Sequence, residues 1–415
     1  MSNILVIYYS RYYNLRASQA EHLFSFQNYA DGHRCFYINI FNRSIPAYFK
    51  KIKFDLIIFS WSFVGTRFVE NEFQSALSRI QIVKTFGCPK VILPQDEFSN
   101  TKALCDLINE FKISVVYSVS PQSEWRKMYK TIDFDRVRFE RVLTGYLDEK
   151  VVHKISSRLL KSNDRLIDVG YRSGSAVYWG RFNLIKFSIA EIFLKVCKQN
   201  QLKSDIAFGW QNFLMGENWY NFLLSCKYIP GVEGGSSILD WDGQLVKSVR
   251  NYLVKHPDAD FDEIEKNCIP FDKDGEIKVV ALSPRHLEAC LTKTCQVLIE
   301  GEYNGILVAG KHYIPLNKDF SNIDEVIKLI KADTLRKKIT NQAYNDIVLS
   351  EKYTYRNFAN YIITDGIGHH SAILQVQNKR KEHLTYLRNK MMDVVSWQIV
   401  RIFSFGRDIR DLIIK

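Results

Sequence analysis

Short, mostly apolar runs rich in β-branched residues occur at intervals through the first third of the chain. They occupy residues 4–8, 55–60, 90–94 and 113–118, and stretches of helical periodicity separate them. Runs of this kind are typical of strands buried on both faces of a parallel sheet, because helices cover both sides of such a sheet. The pattern therefore predicts a domain built from βαβ units, with functional residues beyond the carboxyl ends of its strands.

A second α/β series follows, and the 415 residues are too many for one hydrophobic core. This series begins at residues 164–170 and continues through Ile206, Tyr228, residues 279–282 and residues 296–299, before a helix over 322–343. Residues 143–163 are the predicted crossing between the two series. We predict an α/β chain of two Rossmann-like domains facing a cleft, residues 1–155 and 156–345, with a basic helical extension over 346–415.

The amino-acid composition limits the kinds of binding partner and the cellular compartment that we expect for this protein. The formal net charge of +12 indicates an anionic partner, which could be nucleic acid, a membrane surface or a phosphorylated small molecule. Eight cysteines are scattered without a C-x-x-C pair, so the sequence favours neither a zinc site nor a disulfide framework. No secretory signal is visible, and no uncharged apolar run reaches the ~18 residues of a membrane span. We expect a cytoplasmic location, either free or at the inner face of the cytoplasmic membrane.

The C-terminal extension carries basic residues interleaved with apolar ones. Residues 378–381 read Asn-Lys-Arg-Lys, and the segment beyond them holds the apolar residues Trp397, Ile402, Phe403, Phe405, Leu412, Ile413 and Ile414. This pattern is typical of a peripheral helix lying on an anionic membrane surface. It is equally typical of a terminal helix packed back onto the first domain.

Two glycine-rich stretches are candidates for ligand contact. Residues 170–175, which include Tyr171 and Arg172, follow a predicted strand, and Arg181 and Lys186 come soon after. Backbone N–H groups and cations in such a loop could hold phosphate, although a solvated surface loop has the same composition. The second stretch places Glu233 between glycines, followed by the D-x-D of Asp240 and Asp242. A D-x-D can hold a divalent metal or cap a turn, and we assign no metal because no second carboxylate cluster is near.

Three further sets of carboxylates follow predicted strands. Ser283 and Pro284 can begin a helix that puts Arg285 and Glu288 on one face, where they could form a simple salt bridge or bind phosphate and ribose. The remaining carboxylates are Glu300, Glu302, Asp96 and Glu97. Asp96 and Glu97 are candidate general bases for an acceptor hydroxyl, and either could also be a helix N-cap.

The order of these motifs resembles a known family. The residues from Ser283-Pro-Arg-x-x-Glu288 through Glu300-Gly-Glu-Tyr to His312-Tyr-Ile-Pro-Leu resemble the C-terminal domain of GT-B glycosyltransferases. More narrowly, they are similar to the group-1-like transferases of bacterial capsule and lipopolysaccharide clusters. The resemblance extends over about residues 50–345 and implies a donor site in the second domain and an acceptor site in the first.

The resemblance also implies roles for particular residues. Arg181 and Lys186 would contact the donor phosphates, and Glu288 would contact the ribose. Retaining members often carry a second glutamate upstream, but Val280 stands eight positions before Glu288. The stereochemical course therefore stays open, and Glu233, Asp240 or Asp242 could act as the nucleophile of a double displacement.

These observations together predict an enzyme. The leading hypothesis is a metal-independent glycosyltransferase that uses a UDP-sugar, a GDP-sugar or a CMP-activated ulosonic acid. Its expected acceptor is a surface polysaccharide or a lipid-linked glycan, and no nucleic-acid partner is expected. The alternative is a non-catalytic protein of the same fold that binds nucleotides or nucleic acid.

Overall fold

The computed structural model describes residues 1–11, 15–159, 165–174, 177–368 and 379–413, except for the side chains of 210, 379–381, 403 and 405–413. It contains two parallel sheets that are each flanked by helices. The predicted class, α/β with two Rossmann-like domains, is confirmed.

The first sheet has six parallel strands in the order β2-β1-β3-β4-β5-β6. The strands are β1 (Asn3–Tyr8), β2 (Arg34–Asn39), β3 (Leu56–Phe59), β4 (Lys90–Ile92), β5 (Val115–Ser118) and β6 (Arg138–Arg141). The helices of this half are α1 (Ala17–Leu23), α2 (Ser25–Tyr29), α3 (Trp61–Val64), α4 (Glu70–Ile80), α5 (Thr101–Glu110), α6 (Gln122–Met128) and α7 (Glu149–Ser156). The four predicted apolar runs are all strands of this sheet, whereas β2 and β6 were not predicted.

The second sheet has five parallel strands in the order β13-β12-β9-β7-β8, and a separate antiparallel pair joins β10 to β11. The strands are β7 (Ile167–Ser173), β8 (Ser204–Phe208), β9 (Cys226–Gly231), β10 (Gly234–Ser236), β11 (Val279–Ala281), β12 (Cys295–Ile299) and β13 (Ile314–Leu316). The helices are α8 (Arg181–Gln199), α9 (Glu217–Ser225), α10 (Gln244–Lys255), α11 (Phe261–Cys268), α12 (Pro284–Leu291), α13 (Ile323–Ala332) and α14 (Arg336–Ala343).

Two details of the second half differ from the sequence-based prediction. Strand β7 continues to Ser173, so Tyr171 and Arg172 are strand residues and do not belong to a phosphate-binding loop; Ser175 lies outside the described residues. Residues 279–281 pair with β10 instead of joining the parallel sheet. A Cβ on Gly235, whose φ is 143°, would lie 1.9 Å from the Val279 carbonyl oxygen. Gly235 therefore allows the backbones of β10 and β11 to approach each other closely.

The chain returns to the first domain after the second sheet. Helices α15 (Tyr355–Gly368) and α16 (Lys379–Ile413) pack on the first domain. Tyr355, Phe358 and Ile362 of α15 belong to the core on one face of the first sheet. Of the apolar residues predicted for the C-terminal segment, the side chains of Phe403, Phe405, Leu412, Ile413 and Ile414 lie outside the described part.

Candidate active site in the cleft between the domains

A cavity of about 300 Å³ lies between the two domains. In the first domain, Trp61 follows β3, Asp96 follows β4 and Thr144 follows β6, so the wall is formed by the carboxyl ends of parallel strands. The second domain contributes the end of β7 and the starts of α8 and α12. Ligands of open parallel sheets bind at this edge, so the cleft is the candidate active site.

Asp96 lies at the centre of the first-domain wall in an unusual backbone conformation. Its φ is 48°, in the left-handed region that only asparagine, aspartate and glycine adopt readily. The buried guanidinium of Arg67 donates to the carbonyls of Gln95 and Asp96 at 3.0 and 2.7 Å and fixes this turn. The carboxylate is accessible from the cavity, but enclosure by the two domains raises its pKa, against the opposing effect of Arg67, Lys186 and Arg16. Backbone strain of this kind is often found at functional sites.

Glu97 points the opposite way, into the core of the first domain. Its carboxylate accepts hydrogen bonds from the hydroxyls of Ser118 (2.7 Å), Ser120 (3.2 Å) and Tyr129. It also accepts from the backbone N–H groups of Val119 (2.7 Å) and Ser120 (3.2 Å). Glu97 therefore ties the loop after β5 to the loop after β4, and only Asp96 of this pair lines the cavity.

We expect Glu97→Gln to lower the free energy of unfolding by about 1–3 kcal/mol, because the amide has one acceptor oxygen where the carboxylate has two. Urea unfolding followed by fluorescence measures this loss. Glu110→Gln, at an exposed position on α5, is the matched control and should change stability little. Equal stability of the two variants would contradict a structural role for Glu97.

Three cations face the cavity near the carboxylates of Asp96 and Glu288, but none forms an ion pair within the described part of the chain. Lys186 lies on α8, Arg285 on α12, and Arg16 of the first domain immediately precedes α1. Among the described residues, none of the three has a carboxylate oxygen within 4.0 Å of its charged nitrogens. Burial, together with nearby Arg285, lowers the pKa of Lys186 to about 8, and burial also lowers that of Arg16. Cations held this close together indicate a site for an anion.

Aromatic rings and backbone groups hold these cations in place. The Lys186 ammonium donates to the Asn183 side chain at 2.6 Å and lies 6.0 Å from the centre of the Trp179 ring. Arg285 donates to the carbonyl of Arg172 at 2.9 Å and lies over the Trp219 ring. Their positions are therefore established before any ligand binds.

Glu288 lies one turn after Arg285 on α12, as the helix predicted to start at Ser283 requires. Ser283 is the N-cap residue, and Pro284 occupies the first turn. The Trp219 indole N–H donates to the Glu288 carboxylate at 2.6 Å. Burial raises the pKa of Glu288, while the Trp219 bond and the charges of Arg285 and Arg16 oppose the shift. Glu288 therefore lines the cavity beside the cations as a polar acceptor.

Of the other predicted donor-binding residues, Tyr171, Arg172 and Ser283 line the cavity, whereas Arg181, Glu300 and Glu302 do not. The exposed guanidinium of Arg181 donates to Glu265 at 2.9 Å, and the backbone N–H of Arg181 donates to Asp274 at 2.7 Å. The N-terminus of α8 is thus already capped. The Arg172 guanidinium donates a hydrogen bond to the Asp205 carboxylate at 2.6 Å. The Tyr171 hydroxyl donates a hydrogen bond to the Lys186 carbonyl at 3.0 Å.

The other predicted carboxylates of the second domain lie outside the cavity lining. Glu233 accepts from the backbone N–H groups of Glu302 and Tyr303 at 3.1 and 2.7 Å. Asp240 accepts from two backbone N–H groups at the start of α10, and Asp242 accepts from a third. Glu300 is exposed, and Glu302 pairs with Lys278 at 2.9 Å. Within the described ranges, no group of three or more histidine, cysteine or acidic side chains could hold a metal ion.

The sequence analysis missed several residues of the site. Trp61 stands directly after a predicted strand, so its position was a usable signal. Arg16, Trp179 and Trp219 carry no such signal, because loops far apart in the sequence bring them to the cleft. The indole N–H groups of Trp61 and Trp179 have no hydrogen-bond partner in the described part of the chain. His22 also lines the cavity, and burial lowers its pKa to about 4, which keeps the ring neutral.

Among known proteins, similarity to this chain is found at the level of structure and not of sequence. No protein-family model matches the chain, and no curated protein matches its sequence. The chain is similar in structure to the T4 phage β-glucosyltransferase with its UDP-glucose substrate, at 13% identity over 88% of this chain and 99% of that one, with a TM-score of 0.49. It is also similar to Anabaena HepE in complex with UDP-glucose, at 12% identity over 89% and 100%, with a TM-score of 0.45. A glycosyltransferase from Rickettsia africae gives 11% identity over 89% and 99%, with a TM-score of 0.44.

Proposed function

We propose that this protein is a glycosyltransferase that moves a sugar from a nucleotide-activated donor to an acceptor hydroxyl. One observation carries the proposal: the Asp96 carboxylate and the cations Lys186, Arg285 and Arg16 line the same cleft between two Rossmann-like domains. Sugar transfer from a nucleotide needs a base for the acceptor and positive charge for the departing phosphate, and this cleft offers both.

The donor occupies the second-domain wall in this proposal. Its phosphates lie against Lys186 and Arg285, with Arg16 closing the site from the first domain. The Glu288 carboxylate accepts hydrogen bonds from the ribose hydroxyls. These cations neutralise the leaving group without a metal, because fixed positive charges stabilise the phosphate as it departs.

The acceptor lies against the first-domain wall beside Asp96. Asp96 removes the proton of the attacking hydroxyl while the new bond to the anomeric carbon forms. The bond from that carbon to the phosphate oxygen breaks, and the nucleotide leaves with the electron pair. A single displacement with inversion fits this arrangement. The nucleophile of a double displacement would have to line the cavity, and Glu233, Asp240 and Asp242 lie outside its lining.

We place the acceptor among surface polysaccharides or lipid-linked glycans, made in the cytoplasm or at the inner face of the cytoplasmic membrane. The acceptor wall supports this assignment, because the rings of Trp61 and His22 line it. Aromatic rings stack on the apolar faces of sugar rings, and indole N–H groups donate to sugar hydroxyls.

A donor library with product identification by mass spectrometry tests the proposal. We expect one class of UDP-, GDP- or CMP-sugar to be consumed in the presence of glycan acceptors, with release of the nucleotide. A thermal-shift panel of nucleotides and oligonucleotides tests the non-catalytic alternative. Stabilisation by oligonucleotides alone, without turnover of any donor, would replace the transferase with a nucleic-acid-binding protein.

We expect Glu288→Gln to weaken nucleotide binding by about 1–2 kcal/mol, because the amide loses the charge that strengthens hydrogen bonds from the ribose hydroxyls. Isothermal titration calorimetry with the nucleotide measures the change. Glu300→Gln, at an exposed position outside the cavity, is the control. If Glu288→Gln bound the nucleotide with unchanged affinity, the Glu288 carboxylate would not bind the ribose hydroxyls.

A further inference from the structure

Helix α16 packs one side on the first domain and exposes apolar residues along the other side. The residues that it turns towards the first domain include Glu382, Asn389, Asp393 and Ser396, and these side chains are buried or half-buried. Surface helices of globular proteins normally bury an apolar stripe and expose their polar side. The inner side of α16 also makes apolar contacts, because Val400 is fully buried and Tyr386 and Trp397 pack on the first-domain cores. Further apolar residues of the helix are nevertheless left exposed on its outer side.

Hydrogen bonds and ion pairs accompany the apolar contacts of the inner face. The Glu382 carboxylate pairs with Arg34 at 3.4 Å, and Asp393 pairs with Arg43 at 3.3 Å. The Asn389 side chain donates to the Tyr37 carbonyl of the edge strand β2 at 2.8 Å. These bonds cover the exposed edge of the first sheet and fix the rotation of α16 about its own axis.

The outer face carries a continuous apolar stripe. Its members are the exposed residues Leu384, Leu387, Met391, Val395, Ile399 and Ile402. Met391 and Ile402 are each 71% exposed, and Leu384 is 61% exposed. The positions advance by three or four residues, so the stripe runs along one side of the helix for roughly 27 Å. An apolar patch of this length on an isolated protein marks an interaction surface.

The spacing argues against a second copy of the helix as the partner. A coiled-coil seam that begins at Leu384 and Leu387 repeats every seven residues and requires apolar residues at positions 398 and 401. The chain has Gln398 and Arg401 there. The stripe instead keeps the period of a straight helix, about 3.6 residues, and therefore presents a flat face.

The charges of the outer face identify the partner. Arg388 and Lys390 are exposed beside this stripe, and the Arg388 guanidinium lies over the Tyr48 ring. The two acidic residues of the segment 382–402 are Glu382 and Asp393, and both are turned inwards and paired with arginines. The outer face is consequently apolar and positive, which is the pattern of helices that lie in the interface of anionic bilayers.

We propose that α16 binds the protein to the surface of an anionic phospholipid bilayer, with its apolar stripe in the interfacial region. In the described part of the chain, no helix is both long enough and apolar enough to cross a membrane. The contact therefore lies parallel to the bilayer plane. This inference does not depend on the glycosyltransferase proposal, because it rests on a different surface.

Vesicle flotation of the full chain tests the inference. We expect binding to vesicles of phosphatidylcholine and phosphatidylglycerol in equal parts, and little binding to phosphatidylcholine alone. Raising the salt from about 0.1 M to about 1 M should weaken the binding, since the screening length falls from about 10 to about 3 Å. The double variant Met391→Asp with Val395→Asp should reduce binding by about tenfold or more. Arg388→Glu and Lys390→Glu should each reduce it about fivefold.

The matched control places the same two charges elsewhere. Val254→Asp with Phe271→Asp replaces two exposed apolar residues outside α16 and should bind like the parent protein. Equal loss in both double variants, or equal binding to neutral and anionic vesicles, would overturn the inference. Light scattering provides a second check: a parent dimer that Met391→Asp with Val395→Asp splits, without vesicle binding, would make the stripe a self-association surface. All these variants should bind the nucleotide with the same affinity as the parent protein, because the substitutions lie outside the cleft. Vesicle binding therefore tests this inference, and nucleotide binding tests the glycosyltransferase proposal.

Discussion

Asp96→Asn should lower turnover by about 10²- to 10⁴-fold while leaving nucleotide affinity within about twofold of the parent protein. The amide cannot accept the proton of the attacking hydroxyl. Asparagine adopts positive φ as readily as aspartate, so the turn at φ 48° should keep its shape. Initial rates with saturating donor and acceptor measure the loss, and calorimetry with the nucleotide shows whether the donor site is intact.

Asp242→Asn is the control for this experiment. Asp242 is exposed, lies outside the cavity lining and caps a turn, so its variant should keep nearly full turnover. If Asp242→Asn lost activity and Asp96→Asn kept it, the base would belong to the D-x-D stretch and not to the end of β4.

The pH profile provides a further test of Asp96. Its pKa is raised above the ordinary value of 3.8, because the enclosed cleft disfavours the charged form. A general base works only when deprotonated, so kcat/KM should fall as the pH drops through this raised pKa. The acid limb should disappear from the residual activity of Asp96→Asn. An unchanged acid limb in that variant would assign it to a different group.

The strands that the sequence predicts best are those whose burial comes from local composition. The runs that became β1, β3, β4 and β5 are mostly apolar and lie inside the sheet, so they are buried whatever the distant parts of the chain do. Strand β2 lies at the edge of the sheet and is nevertheless fully buried. Its cover is α16, which follows more than 300 residues later, and no local pattern indicates that contact.

The candidate site shows the same limit at the level of single residues. Asp96 and Glu97 are neighbouring carboxylates, and the sequence does not indicate which of them faces the cavity. The separation comes from the positive φ of Asp96 and from the five donors that hold Glu97 in the core. Arg16 shows the same dependence, because it reaches the cleft only once the two domains face each other. Lys186, Arg285 and Glu288 line the cavity, and the sequence indicated them because each lies near the start of a helix that follows a strand.

Removing the charge of Lys186 should weaken binding of the nucleotide donor by about 10- to 100-fold, because a charge-assisted contact with phosphate is lost. Lys186→Met keeps the length of the side chain and removes its charge. The pKa of Lys186 is lowered to about 8 in the free protein, so the ammonium loses its proton as the pH rises through that value. Donor affinity of the parent protein should therefore fall above about pH 8, and calorimetry near pH 8 should detect proton uptake on binding.

Folding stability should change in the opposite direction to binding. Burial makes the protonated form of Lys186 less stable in the folded protein than in the unfolded chain, and this penalty is present in full below the folded-state pKa of about 8 and fades as the pH rises above it. Lys186→Met should therefore raise the melting temperature at neutral pH. Lys195→Met, at an exposed position on the same helix, should alter neither affinity nor its pH dependence. A variant that binds poorly and melts earlier would indicate simple damage to α8. If Lys186→Met binds the donor more weakly and also unfolds at a higher temperature, the charge of Lys186 serves ligand binding and lowers the stability of the fold.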